Sequence, residues 1–354
     1  MEIHSLFLRN FRRYNEAFFE FKPGINLIHG PNAQGKTTLL EALYCFSVGR
    51  SFRTHYLRDL ISHESTSFFI ELEFSHHQVK QKIRFFAEPQ QKRIFLNDTL
   101  LTSVSNLIGL IQGVVITPDD MSLIKGTPLI RRQFLDLQLS QGDHSYLYHL
   151  SRYNRAMRQR NQLLKNQNLE MIEIWEKEMA SSAAYVTKQR LQAIQEIESF
   201  AQQFYFALSK ESSLLKLAYS IDFPANMTIG SLEVYYKDKF QKNREKEIIL
   251  GHTQTGPHRH DLHIFLDDKE VKTFASEGQQ RSCIHSLRFG EWTRLKKLGS
   301  QTPLFMIDDL GMSLDENRKK NLFEQLTHLG QVFLTATDPA ALYPQLINRH
   351  LVSL

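Results

Sequence analysis

Ile25-Asn26-Leu27-Ile28-His29-Gly30-Pro31-Asn32-Ala33-Gln34-Gly35-Lys36-Thr37-Thr38 is the stretch on which the fold turns. Gly30 to Thr37 has the spacing GxxxxGK[ST]. An apolar run precedes it, and Leu39, Leu40, Leu43 and Phe46 follow at three- and four-residue intervals, so the segment reads as strand, phosphate-binding loop and helix. Glycines let the backbone wrap closely enough for N–H groups to point at phosphate oxygens, and the new helix adds its positive end. Lys36 is placed to reach the β- and γ-phosphates of a nucleotide, and the Thr37 hydroxyl to ligate Mg²⁺. Gly30, Pro31, Asn32, Ala33, Gln34, Gly35, Lys36, Thr37 and Thr38 thus form the candidate nucleotide-binding set, and a phosphate loop alone does not say which nucleotide.

Towards the N-terminus, Leu6 and Leu8 alternate with polar neighbours, and Lys22-Pro23-Gly24 supplies a turn before the apolar run. Beyond the first helix, residues 68–74 and 93–96 read as strands of an antiparallel region, the second meeting an Asn97-Asp98 turn. Between residues 119 and 210 the strand signals fade. Residues 143–166 and 170–208 each read as one long helix, a pair of projections roughly 35 to 55 Å long at 1.5 Å per residue. After Leu250 strands and helices alternate again, with 303–307 and 331–336 as buried strands. The expected architecture is α/β: a head of mixed sheets and helices built from residues 1–118 and 248–354, with a mainly helical lobe, 119–247, carrying a short antiparallel arm.

Two further motifs carry chemistry. Pro303-Leu304-Phe305-Met306-Ile307-Asp308-Asp309 is an apolar strand ending in two carboxylates. With a phosphate loop elsewhere, Asp308 becomes the metal candidate beside Thr37, and Asp309 the group that polarises an attacking water; an acidic turn is the plainer alternative. Ser276-Glu277-Gly278-Gln279-Gln280-Arg281 opens a helix through Ile284, Leu287 and Phe289. Serine and glycine at a helix start are ordinary capping chemistry, but they also make a second anion site.

The set of GxxxxGKT, SxGQ, apolar-Asp-Asp and Ser313-Leu314-Asp315 resembles the head of an ABC-type ATPase, in the branch of SMC-like DNA repair proteins. Within that branch the chain resembles the RecF family. The stretches that carry this are Leu8-Arg9-Asn10-Phe11-Arg12, Gly49-Arg50-Ser51-Phe52-Arg53, Thr117-Pro118-Asp119, Arg131-Arg132-Gln133-Phe134-Leu135-Asp136, Gly256-Pro257-His258-Arg259 and Thr335-Ala336-Thr337-Asp338. The resemblance implies an ATP-dependent homodimer, each ATP held between the loop of one subunit, with Arg12, and Ser276, Gly278 and Gln279 of the other, with Asp315 in the loop that crosses the interface. It also implies clamping of single-stranded, duplex or gapped DNA, weak DNA-stimulated ATP hydrolysis as a reset, and partnership with RecR, RecO and RecA. Ser313-x-x-Glu316 equally reads as a helix cap.

Some positions depart from the pattern. Thr337 stands where transporter ATPases carry a switch histidine, Gln112 is out of register for a Q-loop, and His260 replaces a usual carboxylate. His252, His258, His260 and His263 lie close together, without cysteine and without a zinc spacing, and read as a His-rich loop and strand. For DNA, Arg152, Arg155, Arg158, Arg160 and Lys165 form a stretch with no acidic residue. Arg152, Arg155 and Arg158 share a helical face, which reads as a phosphate-contacting stripe or as a solvated face. Arg50, Arg53 and Arg58 are a second basic candidate.

The composition agrees with a folded, multi-lobed protein: 354 residues, 42% hydrophobic, 23% charged, net +5. Cys45 and Cys283 are too few for a disulfide framework, which fits a reducing cytosol. The opening Met-Glu-Ile-His-Ser-Leu has no secretory pattern, and no run is long enough to span a membrane. An ABC-type ATPase subunit of a transport complex shares the loop and signature but not so large a helical lobe. A chromosome-structural protein of SMC type needs far longer heptad arms.

Overall fold

The structure is a computed structural model that describes residues 1–299, 301–309, 315–337 and 349–354. It divides into two compact units, one made of Met1–Met121, Phe200–Ser213 and Ala275–Leu354, the other of Ser122–Ser199 and Leu214–Phe274.

The first unit is organised around a parallel sheet in the order Arg349–Ser353, Ile25–His29, Val332–Ala336, Leu304–Ile307, Gly113–Ile116. Register runs Leu27 to Leu334, Ile307 to Leu334 and Ile116 to Ile307. All five strands point the same way, so the loop after His29, the carboxylates after Ile307 and Thr337 after Ala336 emerge at one edge, where ligands of parallel α/β sheets gather. A second sheet is antiparallel, in the order Tyr14–Glu20, Glu2–Phe11, Phe68–His76, Val79–Ala87, Lys92–Leu96, Thr99–Leu100. Helix Lys36–Val48 packs on strands of both sheets. Buried from Thr38 to Val48, it is apolar nearly all round, as a helix covered on both sides must be.

The boundary between units falls inside one continuous helix, Ile172–Ser209. Its last turns bury Phe204 and Leu208 in the core of the first unit, Phe204 stacking on Phe289 with ring centroids 3.5 Å apart. Composition placed the helix wholly in the lobe, because a change of packing partner leaves no mark on helical periodicity. Residues 248–274, which the strand pattern suggested for the head, lie in the second unit. Strand Leu262–Leu266 pairs there with Leu215–Tyr219, and Arg131 grips Asp261 through two bonds of 2.7 Å.

In the second unit, helix His144–Lys165 begins where Asp143 accepts a bond from Ser145 N, 2.8 Å long. Arg160, part of the basic stretch without acidic residues, is fully buried. Its guanidinium meets Glu176 at 3.0 Å, Glu247 at 2.6 Å and the Thr253 hydroxyl at 2.9 Å. Among the described residues, no helix is long and apolar enough to cross a membrane.

Candidate nucleotide-binding site

The loop after strand Ile25–His29 is shaped by positive φ values: 154° at Gly30, 62° at Ala33 and 107° at Gly35. Gly35 is the N-cap of helix Lys36–Val48. A Cβ there would lie 2.5 Å from the Tyr14 hydroxyl and 2.8 Å from its ring carbon, so both the backbone angle and the space require glycine. The Lys36 ammonium donates to the carbonyls of Gly30 at 2.7 Å and Pro31 at 2.9 Å, bending its side chain back over the loop. A cleft of about 480 Å³ opens here, lined among others by Arg12, Lys36, Thr37, Arg53, Asp308 and Asp309.

At its floor, the Thr37 hydroxyl donates to the Asp308 carboxylate at 3.0 Å, and the Thr335 hydroxyl donates to the same oxygen at 2.8 Å. Burial pushes the Asp308 carboxyl above its ordinary range; the two hydroxyls counter this, while the charge of Asp309 adds to it. Asp309 has a φ of 55° and donates its amide to Thr335 at 2.7 Å, which turns the chain sharply at the strand end. The sequence marks Thr335 only as part of a motif; its hydroxyl ties the neighbouring strand to both carboxylate residues. Thr337 bonds Asn32 of the loop at 3.2 Å. Gln112 cannot serve as a Q-loop residue. It precedes Gly113, at the end of the sheet away from Asp308, where its carbonyl accepts the amide of Leu304 at 2.8 Å and its side chain is buried.

Ser276 caps helix Glu277–Leu298: its hydroxyl accepts Gln279 N at 3.3 Å, and the Gln279 side chain accepts Ser276 N at 3.0 Å. Gly278 lies against Arg318, whose guanidinium would be 2.8 Å from a Cβ at that position. Asp315 itself caps the next helix by accepting Arg318 N at 2.9 Å. Ser313, Leu314 and Asp338 lie outside the described residues. Neither Ser276, Gly278 and Gln279 nor Asp315 is among the described residues lining the Lys36 cleft.

The proposed basic stripe is uneven. Arg155 and Arg158 are exposed, whereas Arg152 is held by both oxygens of Glu178 and stacks on Tyr148. The histidines of residues 252–263 have separate partners. His252 bonds the Leu250 carbonyl, His258 lies between the Tyr153 hydroxyl and the Thr253 carbonyl, and His263 bridges Ser220 and Glu270. His260 is buried edge-on to Tyr219. Burial lowers His258 to about 4 and His260 to about 3, and in the first unit it lowers His285 to about 4. Folded values below the unfolded value of about 6.5 mean that stability is fully present above that pH and is lost as pH falls towards the folded values. Going from pH 7 to 5 is expected to cost about 1–2 kcal/mol per histidine, lowering the melting midpoint by roughly 5 °C or more. A midpoint unchanged over that range would refute it.

The parallel sheet with its loop and twin carboxylates at one edge, the antiparallel sheet beside it and the Ser276-capped helix define an ABC-type P-loop ATPase head. The solved structure of an SMC head bound to the C-winged helix domain of ScpA shares this fold, with TM-score 0.55 and 15% identity over 97% of this chain and 91% of that one. Residues 2–343 match the family described as RecF/RecN/SMC N terminal domain. The chain belongs to the RecF family. It is 50% identical over 340 residues to the DNA replication and repair protein RecF of Protochlamydia amoebophila, spanning 96% of this chain and 95% of that protein. It is 36% identical over 338 residues to the RecF of Chlamydia caviae, spanning 96% and 92%. A solved structure of the recombination mediator protein RecF with ATP superposes with TM-score 0.90 at 29% identity, over 96% of this chain and 94% of that one.

Proposed function

We propose that this protein is an ATP-dependent DNA-binding protein of recombinational repair and replication restart, whose head pairs with a second copy when ATP is bound. The observation that carries the reading is the separation of two anion-binding features within one unit. Lys36, Thr37 and Asp308 meet in one cleft, while Ser276 and Gly278 stand at a helix start outside its lining. A second copy would supply Ser276, Gly278, Gln279 and Asp315 to the nucleotide held by the first, and the relatives' ATP-bound structures support ATP as that nucleotide.

Thr37 and Asp308, two oxygen donors 3.0 Å apart, fit Mg²⁺, which takes carboxylate and hydroxyl ligands. When bound there, the ion would neutralise charge on the phosphates. The chain's own residues do the rest: Lys36 leaves the loop carbonyls for phosphate oxygens, Thr335 holds Asp308 and the turn at Asp309 in place, and Asp309 orients water. Asp is one methylene shorter than Glu, which suits slow hydrolysis that resets a clamp. Arg155 and Arg158 remain the exposed candidates for DNA phosphates, and gapped, duplex or single-stranded DNA, RecO, RecR and RecA are the partners that family membership suggests.

The test is binding to a gapped duplex at fixed salt with ATP, ADP or no nucleotide, since charge contacts alone mimic affinity. Tight binding with ATP alone is expected. Ser276→Ala is expected to leave ATP binding by the monomer unchanged and to weaken ATP-dependent pairing by about tenfold or more, through loss of a charge-assisted phosphate contact. Normal pairing by that variant, read by sedimentation, would sink the composite-site reading.

A further inference from the structure

A carboxylate that does not line the cleft organises two of the cations that do. Glu41 sits one helical turn beyond Thr37 on helix Lys36–Val48 and is completely buried. Arg12 meets it in a two-armed geometry, Nε donating to one carboxylate oxygen at 3.0 Å and Nη2 to the other at 2.6 Å. Arg53 approaches the same carboxylate at 3.6 Å. Ser51 donates its hydroxyl to Glu41 and accepts the amides of Arg53 at 2.8 Å and Thr54 at 3.2 Å, so the turn that carries Arg53 is pinned to Glu41 as well. Arg12 stands at a φ of 54°, in a turn whose amide is bonded to Leu60 O at 2.7 Å. Its backbone is strained, and its guanidinium has one well-defined resting place. Both arginines line the Lys36 cleft, and Glu41 does not.

We infer that Glu41 is a positioning residue for nucleotide binding, acting through Arg12 and Arg53. A buried carboxylate is costly unless paired and hydrogen-bonded. Here the two-armed pairing also fixes the plane of the Arg12 guanidinium at the cleft wall, while the charge of Glu41 and the turn pinned by Ser51 hold Arg53 beside it, so that Arg12 meets a polyphosphate without first losing side-chain freedom. The inference rests on the reading of the cleft as the ATP site and adds to it how its arginines are held.

The experiment measures ATP affinity of the full chain for wild type, Glu41→Gln, Arg12→Ala and the Glu41→Gln/Arg12→Ala pair, with Lys36→Ala as control. Glu41→Gln is expected to weaken ATP binding by about tenfold, the scale of a lost charge-assisted, two-armed contact. Its effect should shrink to about twofold or less in the Arg12→Ala background, because residues acting as a unit are not additive. A merely structural role would not produce that dependence. An equal effect of Glu41→Gln in both backgrounds, or none in wild type, would overturn the inference. If Glu41→Gln does not fold, Arg12→Lys decides: it keeps the charge but not the two-armed bond, and wild-type affinity in that variant would overturn the inference too. An unimpaired Lys36→Ala would instead overturn the ATP-site reading itself.

Discussion

Replacing Lys36 with alanine is expected to reduce ATP affinity by about 100-fold or more and to abolish ATP-dependent pairing and ATP-dependent DNA binding with it. The side chain now bridges two loop carbonyls, at 2.7 and 2.9 Å, and lies in the cleft that holds Thr37 and Asp308. Its removal deletes the ammonium of a charge-assisted phosphate contact, worth about 3 kcal/mol in a partly dehydrated cleft. It also frees the carbonyls of Gly30 and Pro31, so the loop loses a brace. Thermal stability without nucleotide should fall little, because the ammonium is only partly buried. Isothermal titration with ATP and sedimentation with and without it check both halves. Retained nucleotide affinity would show that the cleft binds by other means.

The second large effect concerns stability. Arg160→Met is expected to destabilise the second unit by about 3–5 kcal/mol, because it strands a buried charge. Glu176 keeps Arg244 at 2.6 Å, but Glu247, itself fully buried, loses its cation and retains only the Gln254 amide at 2.6 Å. The cost should therefore be largely recovered in Arg160→Met/Glu247→Gln, where no uncompensated carboxylate remains. Urea unfolding followed by near-ultraviolet dichroism reads both variants. A single mutant as stable as wild type, or a double mutant worse than the single, would show that packing of the Arg160 stem rather than charge dominates.

The same arginine shows where reading a sequence stops. Arg152, Arg155, Arg158 and Arg160 look alike in a run without acids, yet one is sealed inside the lobe, one is clasped by Glu178 and two face solvent. Their partners lie far along the chain: Glu178 is 26 residues from Arg152 and Thr253 is 93 from Arg160. Glu41 left a faint signal, a carboxylate in the apolar run Leu39-Leu40-Glu41-Ala42-Leu43, but its partner Arg12 is 29 residues away.

By itself the sequence determined the loop Gly30–Thr37, the strands that end at His29 and at Ile307, the capped helix start at Ser276 and the two long helices. Those features depend on contacts between residues a few positions apart, on glycine's access to positive φ and on apolar periodicity. Tertiary structure alone decided that Thr37 and Thr335 converge on one oxygen of Asp308, and that Gln112 lies at the wrong end of its strand. It also decided that helix Ile172–Ser209 changes units partway, and that Arg12 and Arg53 share one buried carboxylate. Each of these is set by which strands pair in parallel and which faces meet in a core, and residues distant in sequence carry no local trace of a partner chosen by packing.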